Sequence, residues 1–128
     1  MQLGLAVLLV FVGGAVGAVA RECLMLLVPT LSDGFPLDIL VANVAASLLI
    51  GLSAGRYNRK VIDDRWHLMV TTGTMGGLST FSSFAYASSV LMTASMTGAL
   101  VAAAYVLASL VMGYGAVIAG MRIGGQNR

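Results

Sequence analysis

The sequence has very little charge, a single cysteine and only two prolines among its 128 residues. Only 9% of the residues are charged, whereas 59% are hydrophobic and the mean hydropathy is +0.95. About a quarter of a soluble domain is charged, so the composition speaks against an ordinary cytoplasmic enzyme and indicates a bilayer protein. One cysteine excludes an internal disulfide. A net charge of +2, with no basic cluster beyond residues 56–65, excludes a nucleic-acid partner.

Three long runs without charged side chains predict where the chain crosses the membrane. They cover residues 1–20, 39–55 and 66–121. Because roughly 20 apolar residues cross a hydrocarbon core of about 30 Å, the last run holds two crossings, joined near residues 93–98. We therefore predict an all-α membrane protein with a single four-helix transmembrane domain over residues 1–128. Its approximate spans are 3–27, 38–56, 66–92 and 98–121.

The connections between these spans carry turn residues and most of the charge. A turn is predicted between the first two spans by Pro29, Ser32, Asp33, Gly34 and Pro36. The polar loop of residues 56–65 precedes Trp66, a residue type common at the membrane interface. Six of the seven Lys and Arg residues lie in this loop or the C-terminal tail, and only Arg21 lies on the other side. The positive-inside rule then favours cytoplasmic termini.

The first span also has a feature of secretory signals. Ala18-Val19-Ala20 resembles a cleavage site, but a positively charged start is missing and no lipobox precedes Cys23. We expect a retained transmembrane helix.

Glycines recur four residues apart in the first three spans, as Gly13 and Gly17, Gly51 and Gly55, and Gly73 and Gly77. Small residues at this spacing let membrane helices approach closely, so helix packing is the simplest interpretation.

The third span is unusually rich in hydroxyl groups around a pair of glycines. Gly76-Gly77 is predicted to interrupt the helix, and non-helical backbone at membrane depth is tolerated only inside protein or along a watery path. The alternative is that the hydroxyls bond back to carbonyls of their own helix. The hydroxyls between residues 71 and 83 belong to Thr71, Thr72, Thr74, Ser79, Thr80, Ser82 and Ser83.

Aromatic rings and polar groups on neighbouring spans suggest an anion as the solute. Phe81 and Phe84 share a face, as do Tyr105 and Ser109. Phenyl rings have positive edges, which an anion could meet where water is scarce. Asn43 is the only amide within the spans, and it either ties helices together or presents its NH₂ to an anion. No carboxylate lies in mid-membrane, so these donors suit a negative solute.

These residues resemble the small fluoride channels of bacteria, the Fluc or CrcB family. The matching features are G-G-A-V-G-A at residues 13–18 leading to Arg21, the isolated Asn43, and G-T-M-G-G-L-S-T-F-S-S-F at residues 73–84. The resemblance covers all four spans and is most specific in the third.

The resemblance implies an antiparallel, dual-topology homodimer in the bacterial inner (plasma) membrane, with two fluoride pores and a structural sodium ion on the dimer axis. The backbone carbonyls of Gly76 and Ser79 from both subunits would hold the Na⁺. The fluoride pathway would use the ring edges of Phe81 and Phe84, with Arg21 either attracting anions into the vestibule or snorkelling to the interface. The polar groups of the pathway would be Asn43, Ser82, Ser83, Tyr105 and Ser109.

Two departures from the family pattern affect these expectations. Gly113 stands where the family often has another hydroxyl, so the polar track could be shorter there. The uneven distribution of Lys and Arg also fits poorly with a chain that inserts in both orientations. Pairing with an oppositely oriented homologue is the alternative, and a homodimer is the expectation we favour.

The expected activity is passive export of fluoride that relieves fluoride toxicity. The sequence has no P-loop and no mid-span carboxylate to carry protons, and His67 beside Trp66 is interpreted as an interface residue. The alternatives are a small dual-topology multidrug exporter, which requires a mid-membrane glutamate, and a non-transporting membrane assembly or holin-like protein.

Overall fold

The computed structural model describes residues 2–28 and 34–126, and these residues form helices with no strand among them. In chain order the helical elements are α1 (Leu3–Leu27), α2 (Leu37–Asn58), α3 (Asp64–Leu68), a π-helical segment (Met69–Thr74), α4 (Met75–Leu78), α5 (Phe81–Ala94) and α6 (Met96–Gly125).

Three of these helices, α1, α2 and α6, are long and apolar enough to cross a membrane. At 1.5 Å per residue, the 25 residues of α1 extend over roughly 37 Å. The elements from α3 to α5 follow one another over residues 64–94, and we refer to them together as the third crossing. The all-helical prediction is confirmed for the residues described. Four crossings fit this arrangement, and the helices overlap the four predicted spans.

Short connections join the crossings. Of the residues predicted to turn the chain after α1, Pro29, Ser32 and Asp33 lie outside the described residues. Gly34 has a φ of 79°, a left-handed conformation that costs glycine little. Between α5 and α6 only Ser95 is non-helical, and its Oγ accepts the Gly98 N–H at 2.9 Å. This turn lies within the predicted stretch 93–98.

The polar loop lies at the same end of the bundle as the end of α6. Arg59 donates a hydrogen bond to the carbonyl of Gln126, which directly follows α6. On the other side of the loop, Asp63 starts α3 by accepting the Trp66 N–H at 3.0 Å. Five of the six basic residues counted together for the positive-inside rule lie in the described part of the chain, and they belong to this end of the molecule. They are Arg56, Arg59, Lys60, Arg65 and Arg122.

The first crossing packs along the third with their backbones in contact. Gly13 and Gly17 on α1 face Gly73 and Gly77, and we call this contact the first glycine seam. A Cβ on Gly17 would overlap the carbonyl oxygen of Thr74. Because residue numbers rise together along both helices at this seam, α1 and the third crossing run parallel.

The second and fourth crossings meet in the same way. Gly51 and Gly55 on α2 face Gly120 and Gly124 on α6, which forms the second glycine seam. A Cβ on Gly120 would overlap the carbonyl oxygen of Leu48. The packing interpretation of the predicted glycine pairs is thus supported, and Gly120 and Gly124 add a pair of the same spacing that the sequence analysis missed.

The third crossing is interrupted later than predicted. Gly76 and Gly77 lie inside α4, which ends at Leu78, and the extended residues are Ser79 and Thr80, with ψ angles of 151° and 99°. The prediction of a break at Gly76-Gly77 is therefore wrong. Gly77 serves close packing instead, since a Cβ there would overlap the backbone of α1.

We expect the second glycine seam to tolerate no added methyl group. In Gly51→Ala the new Cβ would overlap the Val117 carbonyl oxygen, so we predict a loss of about 1–3 kcal/mol in the free energy of unfolding. Gly115→Ala is the matched control on α6, because no atom lies within 4 Å of its Cβ position. Unfolding in detergent micelles measures the stability of both variants. Equal stability of the two would contradict the close packing at the second glycine seam.

Candidate functional site

The candidate site is centred on the break in the third crossing, and Asn43 of α2 holds that break in place. The Asn43 Oδ1 accepts the backbone N–H of Thr80 at 2.9 Å. In a regular helix this N–H would donate to the carbonyl of Gly76, four residues earlier. Asn43 was predicted either to tie helices together or to present its NH₂ group to an anion. Its amide oxygen has the first role, since it links the second and third crossings.

Thr80 also starts the next helix. Its Oγ1 accepts the N–H of Ser83 at 3.1 Å and donates to the Ser83 Oγ at 2.8 Å. Threonine favours this N-cap position because its hydroxyl replaces the missing helical acceptor. The bond diverts the Ser83 N–H away from the Ser79 carbonyl, which is four residues earlier.

The backbone carbonyls of residues 76–79 are therefore left without their regular helical donors. Those of Gly76 and Ser79, the predicted cation ligands, lose these donors to Asn43 and Thr80. The Gly76 side of α4 is open, since nothing lies within 4 Å of a Cβ placed there. Carbonyl oxygens are hard ligands that suit a hard cation. No group of three His, Cys, Asp or Glu side chains in the described part of the chain could hold a metal, so a cation here would depend on backbone oxygens.

Five of the seven hydroxyl groups around the break fall into two classes. Thr71, Thr74 and Ser79 bond back to carbonyls of their own helix at 2.7, 3.2 and 2.8 Å. For these three the back-bonding alternative is confirmed. Thr80 and Ser83 instead support the break.

Four aromatic rings on three parts of the chain form a continuous row, which we call the aromatic row. The ring of Tyr105 lies between Phe35 and Phe84, with centroid distances of 5.5 and 5.3 Å. Phe84 is next to Phe81 at 6.1 Å. The Phe35 ring meets Tyr105 edge-on at 89°. The structure thus brings Phe81, Phe84 and Tyr105 together, as the sequence analysis expected of one site.

Two polar groups of the site carry hydrogen-bond donors that have no partner among the described residues. Tyr105 is fully buried, and its hydroxyl has no hydrogen-bond partner among residues 2–28 and 34–126. Burying a hydroxyl without a partner is costly, so such a group is suited to a ligand. Within the same residues, the NH₂ of Asn43 also has no bonded neighbour. Ser109, one turn beyond Tyr105, instead donates to the Tyr105 carbonyl at 2.8 Å.

The remaining predicted site residues are less closely connected to this centre. Ser82 is exposed, with its Oγ 3.5 Å from Thr80 Oγ1. Arg21 is half-buried on α1 and has no ion pair or hydrogen bond within the described segments. Gly113 lies next to α2, where a Cβ would be 3.5 Å from the Ser47 Oγ. The Ser47 hydroxyl of α2 therefore lies close to Gly113, the position at which the family often has a hydroxyl group.

Sequence reasoning missed three contributors to this site. Phe35 belongs to a turn between Gly34 and Pro36, where aromatic periodicity gives no signal. Thr80 was counted among the hydroxyls, although a threonine that precedes a helical stretch is a favoured N-cap residue and could have been recognised as one. Ser47 lies one turn after Asn43, and its Oγ donates to the Asn43 carbonyl at 2.8 Å.

The chain is similar to a known protein family over most of its length. A model of the family described as "CrcB-like protein, Camphor Resistance (CrcB)" matches residues 8–121. "Fluoride-specific ion channel FluC 1" of Brucella abortus is 58% identical over 118 residues, which are 92% of this chain and 44% of the relative. "Fluoride-specific ion channel FluC 3" of Yersinia pseudotuberculosis is 50% identical over 122 residues, 95% of this chain and 90% of the relative. The chain thus spans less than half of the Brucella protein.

We expect the bond between Asn43 and Thr80 to stabilise the fold. Asn43→Leu would bury the Thr80 N–H without an acceptor, so we predict a loss of about 1–3 kcal/mol in the free energy of unfolding. Ser47→Ala, one turn along α2, removes only a bond to a carbonyl of its own helix and should change stability by about 0.5 kcal/mol or less. Unfolding in micelles compares the two variants. An Asn43→Leu variant as stable as the parent would show that Thr80 does not depend on this acceptor.

Proposed function

The chain belongs to the CrcB family, and from this membership we propose that it forms a passive, fluoride-selective ion channel. The relatives from Brucella and Yersinia carry the name of a fluoride-specific ion channel, which supports fluoride as the permeating ion. Family membership also supports transport without an enzymatic step. We place the protein in the bacterial inner membrane as a multi-pass protein, in agreement with its three long apolar helices.

The observation that carries the proposal is the buried Tyr105 hydroxyl, which has no partner within the described segments and belongs to a ring in contact with Phe84. A free O–H donor recognises an anion, because an anion only accepts hydrogen bonds. The unbonded NH₂ of Asn43 supports the same chemistry. Between residues 66 and 121 no side chain is charged, so no carboxylate there would repel fluoride.

In the proposed pathway, phenyl edges and polar groups replace the hydration shell of fluoride. Phe81 and Phe84 would offer their positive ring edges, and Ser82 and Ser83 their hydroxyls. Tyr105 and Ser109 would continue the path along α6, with Ser47 near the place where Gly113 lacks a hydroxyl. Arg21 would attract anions towards the entrance. Several weak sites in series allow an ion to enter and also to leave.

Passive conduction is sufficient to remove fluoride from a cell. An interior-negative potential favours exit of an anion by about 2.3 kcal/mol per 100 mV. Neutral HF enters from an acidic medium and ionises in the less acidic cytoplasm. The channel would then return F⁻ to the outside and relieve its toxicity without an energy source.

We further propose that two subunits assemble as an antiparallel homodimer with two pores. Several residues next to the break face outwards from the single subunit. Phe81 is 80% exposed, Ser82 is exposed, and Gly76 has open space beside it. A partner subunit would cover this surface and complete the ring-lined path. An oppositely oriented homologue could supply the same surface, and it would reconcile the pairing with the uneven distribution of Lys and Arg.

A sodium ion fits the carbonyl pair at the break. The carbonyls of Gly76 and Ser79 lose their regular donors to Asn43 and Thr80, and Gly76 is open to the outside of the subunit. Two subunits would present four such oxygens, which suit a hard monovalent cation without any carboxylate. The ion would supply positive charge at the dimer axis and hold the two breaks together. Asn43 and Thr80 keep the oxygens available.

Removal of the rings tests the proposed conduction. We expect Phe81→Ile and Phe84→Ile each to slow fluoride efflux from proteoliposomes by about tenfold or more, because each ring edge contributes to ion stabilisation along the path. Tyr86→Ile is the control, since Tyr86 is an exposed aromatic residue of the same helix and outside the aromatic row. Efflux is recorded with a fluoride electrode. Unchanged efflux in both phenylalanine variants, or an impermeable parent protein, would contradict the proposal.

Sodium dependence tests the proposed cation site. An ion that binds the folded dimer but not the unfolded chain raises the stability of the dimer. The unfolding midpoint should therefore increase with Na⁺ concentration at constant ionic strength. Choline replaces Na⁺ as the control cation because it is too large for a cage of four carbonyls. An unfolding midpoint that is equal in sodium chloride and choline chloride would contradict the proposed sodium site, whatever the outcome of the efflux measurement.

A further inference from the structure

An open groove of approximately 260 Å³ lies between α2 and the beginning of the third crossing, away from the aromatic row. On α2 the residues along it are Leu49, Leu52 and Arg56, which recur every three or four positions and therefore share one face. The third crossing contributes Trp66 and Val70, which are four residues apart.

The groove changes from apolar to charged along its length. Leu49 and Leu52 lie further from the polar loop, and Arg56 lies at the loop end of α2. From Leu49 to Arg56 the helix rises by roughly 10 Å. The hydroxyl of Ser53, which also lines the groove, is already bonded to His67 Nδ1 at 3.1 Å. Among the residues that the structure describes, Arg56 has the only charged side chain that lines the groove.

The acidic residues of the loop are engaged elsewhere. The Asp63 carboxylate accepts the backbone N–H of Trp66, and the Asp64 carboxylate accepts the Tyr57 hydroxyl at 2.8 Å. No carboxylate in the described part of the chain forms an ion pair with Arg56. The backbone of Arg56 is fixed against α6, where its nitrogen lies 3.1 Å from a Cβ position on Gly124. The five N–H donors of the Arg56 guanidinium are thus available to a ligand.

We propose that this groove binds one anionic phospholipid. Its phosphate group would accept hydrogen bonds from Arg56, and an acyl chain would lie along Leu49, Leu52 and Val70. Guanidinium and phosphate form paired, charge-assisted hydrogen bonds. Trp66 is 59% exposed, and its indole N–H is without a partner in the described residues, so it can donate to the glycerol or ester region. Charge complementarity selects an anionic headgroup over a neutral one, and the continuous apolar wall selects a lipid over free phosphate.

The position of Trp66 makes the proposal directly measurable, because it is the only tryptophan in the chain. Lipids brominated on their acyl chains quench tryptophan fluorescence on contact. The full-length protein is reconstituted into phosphatidylcholine vesicles with increasing fractions of brominated phosphatidylglycerol, or of brominated phosphatidylcholine for comparison. We expect the lipid site at Trp66 to favour phosphatidylglycerol by about fivefold.

Two variants distinguish a specific lipid site from a general effect of positive surface charge. Arg56→Gln should reduce the preference to nearly equal binding of the two lipids. Arg122→Gln removes the same charge from an exposed residue near the end of α6, outside the groove, and should retain the preference. Equal binding in the parent protein, or an equal loss in both variants, would overturn the proposal. So would loss of the preference in millimolar inorganic phosphate but not in sodium chloride of the same ionic strength, because the site would then bind free phosphate.

Discussion

One hydrogen bond, from the Thr80 N–H to the Asn43 side chain, makes the central irregularity of this fold possible. Inside a bilayer an unsatisfied backbone group costs several kcal/mol, so a membrane helix cannot simply stop in the middle. Asn43 supplies the acceptor that the helix would otherwise provide, and the Thr80 hydroxyl does the same for Ser83. The chain can then extend over Ser79 and Thr80 and resume as α5. The freed carbonyls of Gly76 and Ser79 and the position of Phe81 and Phe84 follow from this substitution of side-chain for backbone bonds.

The two glycine seams hold the surroundings of the break in place. Apolar helices gain little from association in lipid, so close packing has to provide the attraction. The first seam fixes the start of the third crossing against α1 up to Gly77, only a few residues before the break. The second seam fixes α6 beside α2, so that Tyr105 and Asn43 are carried on one tightly joined pair of helices. The donors and rings of the proposed path are thereby placed by backbone contacts that additional side-chain volume would disturb.

The sequence was sufficient to predict an all-helical chain with long apolar helices, because the length of apolar runs reflects the thickness of the bilayer. The family resemblance placed Phe81, Phe84 and Tyr105 in one site, whereas helical spacing related only Phe81 to Phe84. The position of the break was predicted incorrectly because glycine can either interrupt a helix or allow close helix packing. Gly77 allows close packing, whereas Thr80 and Asn43 define the interruption. That pairing joins residues 37 positions apart. The contact of Phe35 with Tyr105 was equally hidden, because only the folded chain brings a turn residue against α6.

In the proposed mechanism fluoride moves alone, as a charged ion, along rings and donors beside the interrupted crossing. The most direct measurement uses proteoliposomes that contain equal concentrations of potassium fluoride and potassium chloride, with separate electrodes for the two halides outside. The account predicts that F⁻ is released only when valinomycin lets K⁺ leave to balance the charge, and that Cl⁻ is retained. Release of both halides at similar rates, or release of fluoride at full rate without valinomycin, would contradict it.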